Sequence, residues 1–193
     1  MSLLTLYHQS NMQKPDIVTS NEDDISHYLQ ADGIRMEHWP LKVSEFGGRM
    51  AESDVLQHYA LNIKQAKQDL AHTQVDIVNI QPGDSRAIGL RDKYLSEHTH
   101  EEDEARFLLF GSLLLYIHIN ERIHVVQCVA GDYIVVPKGV KHWLDIGPEP
   151  DYQCIRIYND IAALNNNYTG SYVAESTPRW EGILGLNPEL SQV

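Results

Sequence analysis

Apolar positions along the chain follow two rhythms, and the change between them falls near residue 75. Before it the clearest pattern is helical. In "ESDVLQHYALNIKQAKQDLA", residues 52–71, the side chains Val55, Tyr59, Ile63, Ala66 and Leu70 recur three or four apart, which predicts one amphipathic helix. A shorter helix is predicted from Glu22 to Asp32, where "SNEDD" supplies caps and first-turn acids and Gly33 supplies a stop. "IRMEHWPL" then predicts a short strand ending at Pro40.

Beyond residue 75 the runs become short, β-branched and aromatic: "VDIVNI", "KYLSEHTH", "ARFLLFG", "LLLYIHI", "IHVVQCV", "DYIVVP", "HWLDI" and "YQCIRIY". Turn-forming groups such as "QPGD", "NER", "AGD", "PKG" and "GPEPD" separate them, which predicts an all-β sandwich or barrel. The expected organisation is a single domain over 1–193. A helical N-terminal part (1–74) packs on a β-barrel (75–160), and an irregular segment (161–193) follows, with "ESTPRW" and "LNPELSQV" lying on the surface. "NNN" at 165–167 reads as a local loop or cap.

Composition narrows the partners. A formal net charge of -12 argues against nucleic acid or an anionic membrane surface, since both require clustered Lys and Arg. The two cysteines, Cys128 and Cys154, form no CxxC, which suits a reduced cytoplasmic protein. "MSLLTLYHQSNMQKPD" lacks the basic start of a signal peptide, and no apolar run reaches membrane-spanning length. A soluble, cytoplasmic monomer is expected.

The chemistry concentrates in "EHTHEEDEARFLLFG", residues 97–111. Residues two apart on a strand share a face, so His98 and His100 point the same way, joined by Tyr94 and Ser96 if the strand reaches back that far. "EEDE" is a poor strand and reads as a turn. Glu104 opens the return strand facing the histidines, with Arg106 and Leu108 on its side. In "GDYIVVPKGVKHWLDIG", Gly131, Pro137 and Gly139 form turns ahead of His142, a fourth candidate ligand, with Leu144 inward beside it by strand parity. Each part alone has a plain explanation: a surface HxH, a solvated acidic turn, a histidine starting a strand. Together they point to a first-row divalent metal (Fe, Ni, Mn, Cu, Co or Zn). Four protein ligands on a six-coordinate ion keep two positions open, as redox or Lewis-acid chemistry on a small molecule requires.

At these residues the sequence resembles the cupin superfamily, whose two motifs have the form HxHx3Ex6G and Gx5PxGx2H. Within it the chain is similar to the acireductone dioxygenase family, on "EHTHEEDEARF", "VPKGVKHW" and "CIRIY", with "GIRMEHW" and the helix before "VDIVNI" extending the likeness over nearly the whole chain. The resemblance implies a mainly β, cupin-type β-barrel (double-stranded β-helix) with N-terminal α-helices. It implies that His98, His100, Glu104 and His142 hold one Fe(II) or Ni(II) per chain. The implied partners are O2 and an acireductone, 1,2-dihydroxy-3-keto-5-(methylthio)pentene, of methionine salvage. Iron would give formate and 4-methylthio-2-oxobutanoate; nickel would give carbon monoxide, formate and 3-methylthiopropionate.

Arg106 and Arg156 match family arginines that line the site, where a guanidinium suits an anionic enediolate. The plain alternative pairs either arginine with an acid of the 101–104 turn. Tyr94, Ser96 and Leu144 are expected in the substrate pocket. Tyr94 and Leu144 stand where phenylalanine is expected, and Phe110 and Leu113 in "FGSL" replace a usual Glu and Gly. These departures keep open another metal-dependent cupin enzyme (a different dioxygenase, an isomerase or a decarboxylase) on a small oxygen-rich substrate, and beyond it a sugar- or ligand-binding module. Glu97 reads as a surface residue rather than an acceptor behind a ligand, and the other histidines as structural or exposed.

Overall fold

The computed structural model describes residues 1–42 and 48–185, so the tail "LNPELSQV" lies outside the described residues. The N-terminal third is less purely helical than its pattern. It opens with β1 (Leu3–His8) and β2 (Ile17–Thr19). Helix α1 (Glu22–Ala31) starts as predicted: the Asn21 side chain accepts from Asp24 N, and three acids occupy its first turn. Strand β3 is Arg35–His38. The helix expected over 52–71 is two helices, α2 (Glu52–His58) and α3 (Ala60–Leu70), broken at Tyr59. Tyr59 is anchored there: its ring meets Phe107 edge-on at 5.2 Å and its hydroxyl accepts from Lys42 N. The predicted face survives the break, because Val55, Tyr59, Ile63 and Ala66 are buried.

Strand β4 is Gln74–Ile80. Next comes a helix, α4 (Ala87–Tyr94), where "KYLSEHTH" predicts a strand. The alternation seen in "KYLSEHTH" is overruled by Ala87, Leu90 and Tyr94, which sit at helical spacing and pack on the interior cluster. Only His98–Thr99 remains as β5. Strand β6 (Glu104–Ile119) joins two predicted strands into one that bends at Gly111. Gly111 has φ +72°, and a Cβ there would lie 1.9 Å from the Asp151 carbonyl oxygen, so only glycine fits the crossing. The rest follow as β7 (Arg122–Val129), β8 (Asp132–Val136), β9 (Lys141–Asp145), β10 (Tyr152–Tyr158), a 3-10 turn at Ile161–Leu164, β11 (Asn167–Tyr168), α5 (Val173–Ser176) and α6 (Trp180–Leu184).

The first half of β6 pairs with β8 and β10, carrying β3 and β4 outside them; its second half pairs with β7 and β9, continuing to β1, β2, β5 and β11. The bend folds these halves over one interior, where Leu108, Ile134, Val136 and Cys154 meet Leu115, Ile117, Val126 and Leu144. The strand order does not close into a ring among the described residues, so the barrel is an open one. Helices α2 and α3 cover Phe107, Tyr133, Ile155 and Ile157 on one outer face. On the other, α5 and α6 bring Ala174, Ile183 and Trp180 onto Tyr7, Leu114, Tyr116 and Trp143. "ESTPRW" is therefore not a loose surface segment: it is fastened by aromatic burial, about 1.5–3 kcal/mol for each large side chain removed from water. No described helix is long and apolar enough to cross a membrane.

Candidate metal centre

Three short pairings bring the chemistry together at one end of the interior. His98 on β5 lies opposite His142 on β9 and opposite Tyr168 on β11, and His142 lies opposite Ile117 on β6. Glu104 opens β6 opposite Val136, the last residue of β8. His98, His100, Glu104 and His142 are all buried. One ring nitrogen from each histidine lies within 4.8 Å of the other two. The Glu104 Oε2 atom stands 4.0 Å from His100 Nε2 and 3.9 Å from His142 Nε2.

Main-chain carbonyls orient the rings. The Nδ1 atoms of His98, His142 and His100 face Ser96 O at 2.7 Å, Val140 O at 2.8 Å and Asn165 O at 3.3 Å. Against a carbonyl each Nδ1 must donate, so each Nε2 presents a lone pair to the centre. Burial pushes His98 down to about 4 and His142 to about 3, so both rings are neutral at physiological pH. Burial alone would raise Glu104, yet the Arg106 guanidinium and the imidazoles of His100 and His142 hold it well below the carboxylate range. Arg106 Nη2 donates to Glu104 Oε1 at 2.7 Å, leaving Oε2 toward the histidines.

This donor set fits a divalent metal ion. Among the described residues His142 Nε2 is buried without a hydrogen-bond partner. An arrangement of neutral imidazole nitrogens and one carboxylate oxygen is costly to bury for itself and well suited to a first-row cation.

The other expected site residues divide. Leu144 is buried in the interior two residues beyond His142, and Tyr94 is half-buried at the end of α4 against the same cluster. Ser96 serves through its carbonyl rather than its hydroxyl. Arg156 lies opposite Arg106 in the β10–β6 register, but its guanidinium grips Asp76 at 3.0 and 2.6 Å. Arg106 pairs with Glu104, the last acid of the 101–104 turn, as the plain alternative has it. Those acids are less idle than a solvated turn: Glu102 accepts from the backbone of Asn159 and Asp160, and Asp103 from Lys138 N, while Glu101 is exposed.

Glu97 corrects its surface assignment. It is 1% exposed and accepts from Thr169 Oγ1 at 2.6 Å while its other oxygen lies 2.6 Å from His118 Nδ1. Alternation placed it on the face away from His98, where β6 supplies His118 and the chain just past β11 supplies Thr169. Tyr168, edge-on to His98 at 6.1 Å, and Asn165 are further neighbours of the centre; "NNN" at 165–167 marks only a local loop or cap there. Phe110 sits at the β6 bend with the Arg49 guanidinium over its ring at 4.8 Å, whereas Leu113 is buried in the interior.

Comparison with known proteins agrees with this geometry. Residues 7–163 match the profile of the ARD/ARD' family. The chain is 31% identical over 185 residues to the acireductone dioxygenase of Marinobacter nauticus, covering 96% of this chain and 99% of that one. It is 33% identical to that of Hahella chejuensis, over 95% of this chain and 98% of that one. It is 35% identical to that of Cronobacter sakazakii, over 93% and 99%. Among solved structures, the acireductone dioxygenase of Bacillus anthracis with a cadmium ion in its active centre superposes with a TM-score of 0.70 at 19% identity, covering 86% of this chain and 95% of that one. That likeness establishes the cupin-type fold.

Proposed function

The chain belongs to the ARD/ARD' family of acireductone dioxygenases, and on that premise we propose that it cleaves 1,2-dihydroxy-3-keto-5-(methylthio)pentene with O2 at a metal held by His98, His100, Glu104 and His142. The metal is Fe(II) or Ni(II), one per chain, and the setting is methionine salvage by a cytoplasmic monomer. With iron the products are formate and 4-methylthio-2-oxobutanoate; with nickel they are carbon monoxide, formate and 3-methylthiopropionate.

One observation carries this reading: four buried ligand-type side chains face one another, and His142 Nε2 has no partner among them. When bound, the metal supplies Lewis-acid and redox chemistry for an enediolate and O2. The protein's own groups do the remaining work. The three carbonyl acceptors fix the imidazole tautomers before any ligand arrives. Arg106 keeps Glu104 ionised and turned, so that Oε2 is the oxygen offered. Glu104 and Arg106 cancel in charge, so a dication there leaves a net positive interior suited to a dianionic substrate. Arg106 Nε, buried and unpartnered, is placed to donate to negative charge developing on that substrate. Burial of the whole set excludes water that would compete for the enediolate.

The test mixes Fe(II)-loaded protein with the synthetic acireductone under anaerobic conditions and then admits air. Enediolate absorbance is expected to disappear far faster than with metal-free protein; equal rates would overturn the proposal. Running the same assay with Ni(II) tests the product change. Interior placement of Leu113 and Leu144 keeps a second reading, another metal-dependent cupin enzyme, alive for the tail of the substrate only.

A further inference from the structure

Inward-facing residues of β10 and β6 form layers leading away from the metal end. Arg156 and Arg106 come first, then Cys154 and Leu108, then Tyr152 opposite Gly111. Tyr152 lies four residues along β10 from Arg156, and its hydroxyl is close enough to Arg106 and Arg156 to feel the charge of both. Leu115 and Leu144 form the facing wall. Two of these layers contain a polar atom with nothing to bind. Arg106 Nε and the Tyr152 hydroxyl are both buried without a hydrogen-bond partner, as His142 Nε2 is at the metal end. Among the described residues the other partnerless polar atoms lie on other strands: Thr5, Gln127 and Tyr133 face outward, and His124 on β7 pairs with Asp32 through Nε2 while its Nδ1 stays unpartnered. Tyr152 is 0% exposed and packs with Leu108, Leu113 and Ile146. Burial, then the neighbouring Cys154, set its phenol well above the usual range against the opposing pull of the Arg106 guanidinium, so it stays a proton donor.

A buried donor without a partner is destabilising unless a ligand completes it. We infer that the Tyr152 hydroxyl donates a hydrogen bond to an acceptor atom in the tail of the acireductone, at the place of the thioether sulfur, which makes Tyr152 a specificity residue. This rests on the function proposed above, with the enediolate head at the histidines. From there two methylenes pass Leu108, Leu144 and Cys154 before the first tail heteroatom. Arg106 meets the charged head, and Tyr152 meets the tail. A thioether is a weak acceptor and an ether oxygen a stronger one, so the site should rank tails by acceptor strength.

The experiment compares Fe(II)-loaded wild type and Tyr152→Phe on three synthetic acireductones with one head and a methoxy, methylthio or all-carbon tail. Tyr152→Phe is expected to lose about tenfold in kcat/KM on the methoxy tail, less on the methylthio tail and nothing on the all-carbon tail. In the metal-free protein the same substitution removes an unsatisfied hydroxyl and is expected to raise Tm by about 2–4 °C. Equal losses on all three tails, or none on any, would overturn the inference. So would a lower Tm, since the hydroxyl would then already have its partner inside the protein. Failure of both proteins to consume any of the three faster than metal-free controls would overturn the proposed function, and this inference with it.

Discussion

His142 and Asp145 stand three residues apart on β9, both fully buried, and they teach opposite lessons about buried polar groups. Asp145 faces outward under α4 and α6. Its carboxylate accepts from Arg91 Nε at 2.8 Å and Nη2 at 3.0 Å, and from the backbone of Gly147 at 2.9 Å and Trp180 at 3.0 Å. His142 faces inward, and its Nε2 accepts from nothing. One cluster is complete within the chain and fastens the C-terminal segment to the sheet. The other leaves lone pairs facing one another, an arrangement that could hold a cation. Satisfaction of hydrogen bonds, rather than burial or charge, separates a structural cluster from a binding one here.

Substitution of the inward ligands should break the comparison most sharply. His98→Ala or Glu104→Ala is expected to abolish metal retention and reduce turnover to the metal-free rate, measured by elemental analysis and the acireductone assay. Next comes the outward cluster. Asp145→Ala leaves Arg91 and two amides without their acceptor, and a loss of about 3–5 kcal/mol in denaturant unfolding is expected, with unchanged metal per folded chain. If Asp145→Ala instead lost metal selectively, the two clusters would not be independent. Adding metal to the stripped protein is expected to stabilise wild type and Asp145→Ala alike, by about 3–4 kcal/mol at 100 to 1,000 times the dissociation constant. The smallest effect belongs to Glu102→Ala, which removes an acceptor for Asn159 and Asp160. A loss of about 1 kcal/mol is expected, with metal content intact; a metal-free Glu102→Ala would mean that the wrong acid has been named as ligand.

Much of this was legible because it is periodic or local. The buried face of α2 and α3, the strand runs after residue 75, and the spacing of His98, His100, Glu104 and His142 all follow from residues a few positions apart. The strand expected over "KYLSEHTH" shrinks to His98–Thr99 because Lys93 and Tyr94 belong to a helix begun at Ala87, whose contact with the interior decided between the two spacings. The arginines show the limit of type and spacing: Arg106 and Arg156 look alike in sequence, but one holds Glu104 and the other Asp76. Glu97 was misplaced because its partners, His118 and Thr169, lie 21 and 72 residues away.

The sequence by itself determined the buried helical face, most strands after residue 75, the shared side of the histidines and the type of metal they suit, because rotation per residue and ligand chemistry are properties of the local chain. Only the tertiary structure decided which polar groups find partners. Whether Tyr152, Glu97 or Asp145 is satisfied depends on strands and helices arriving from distant parts of the chain. No spacing within a segment can report what lies across the interior.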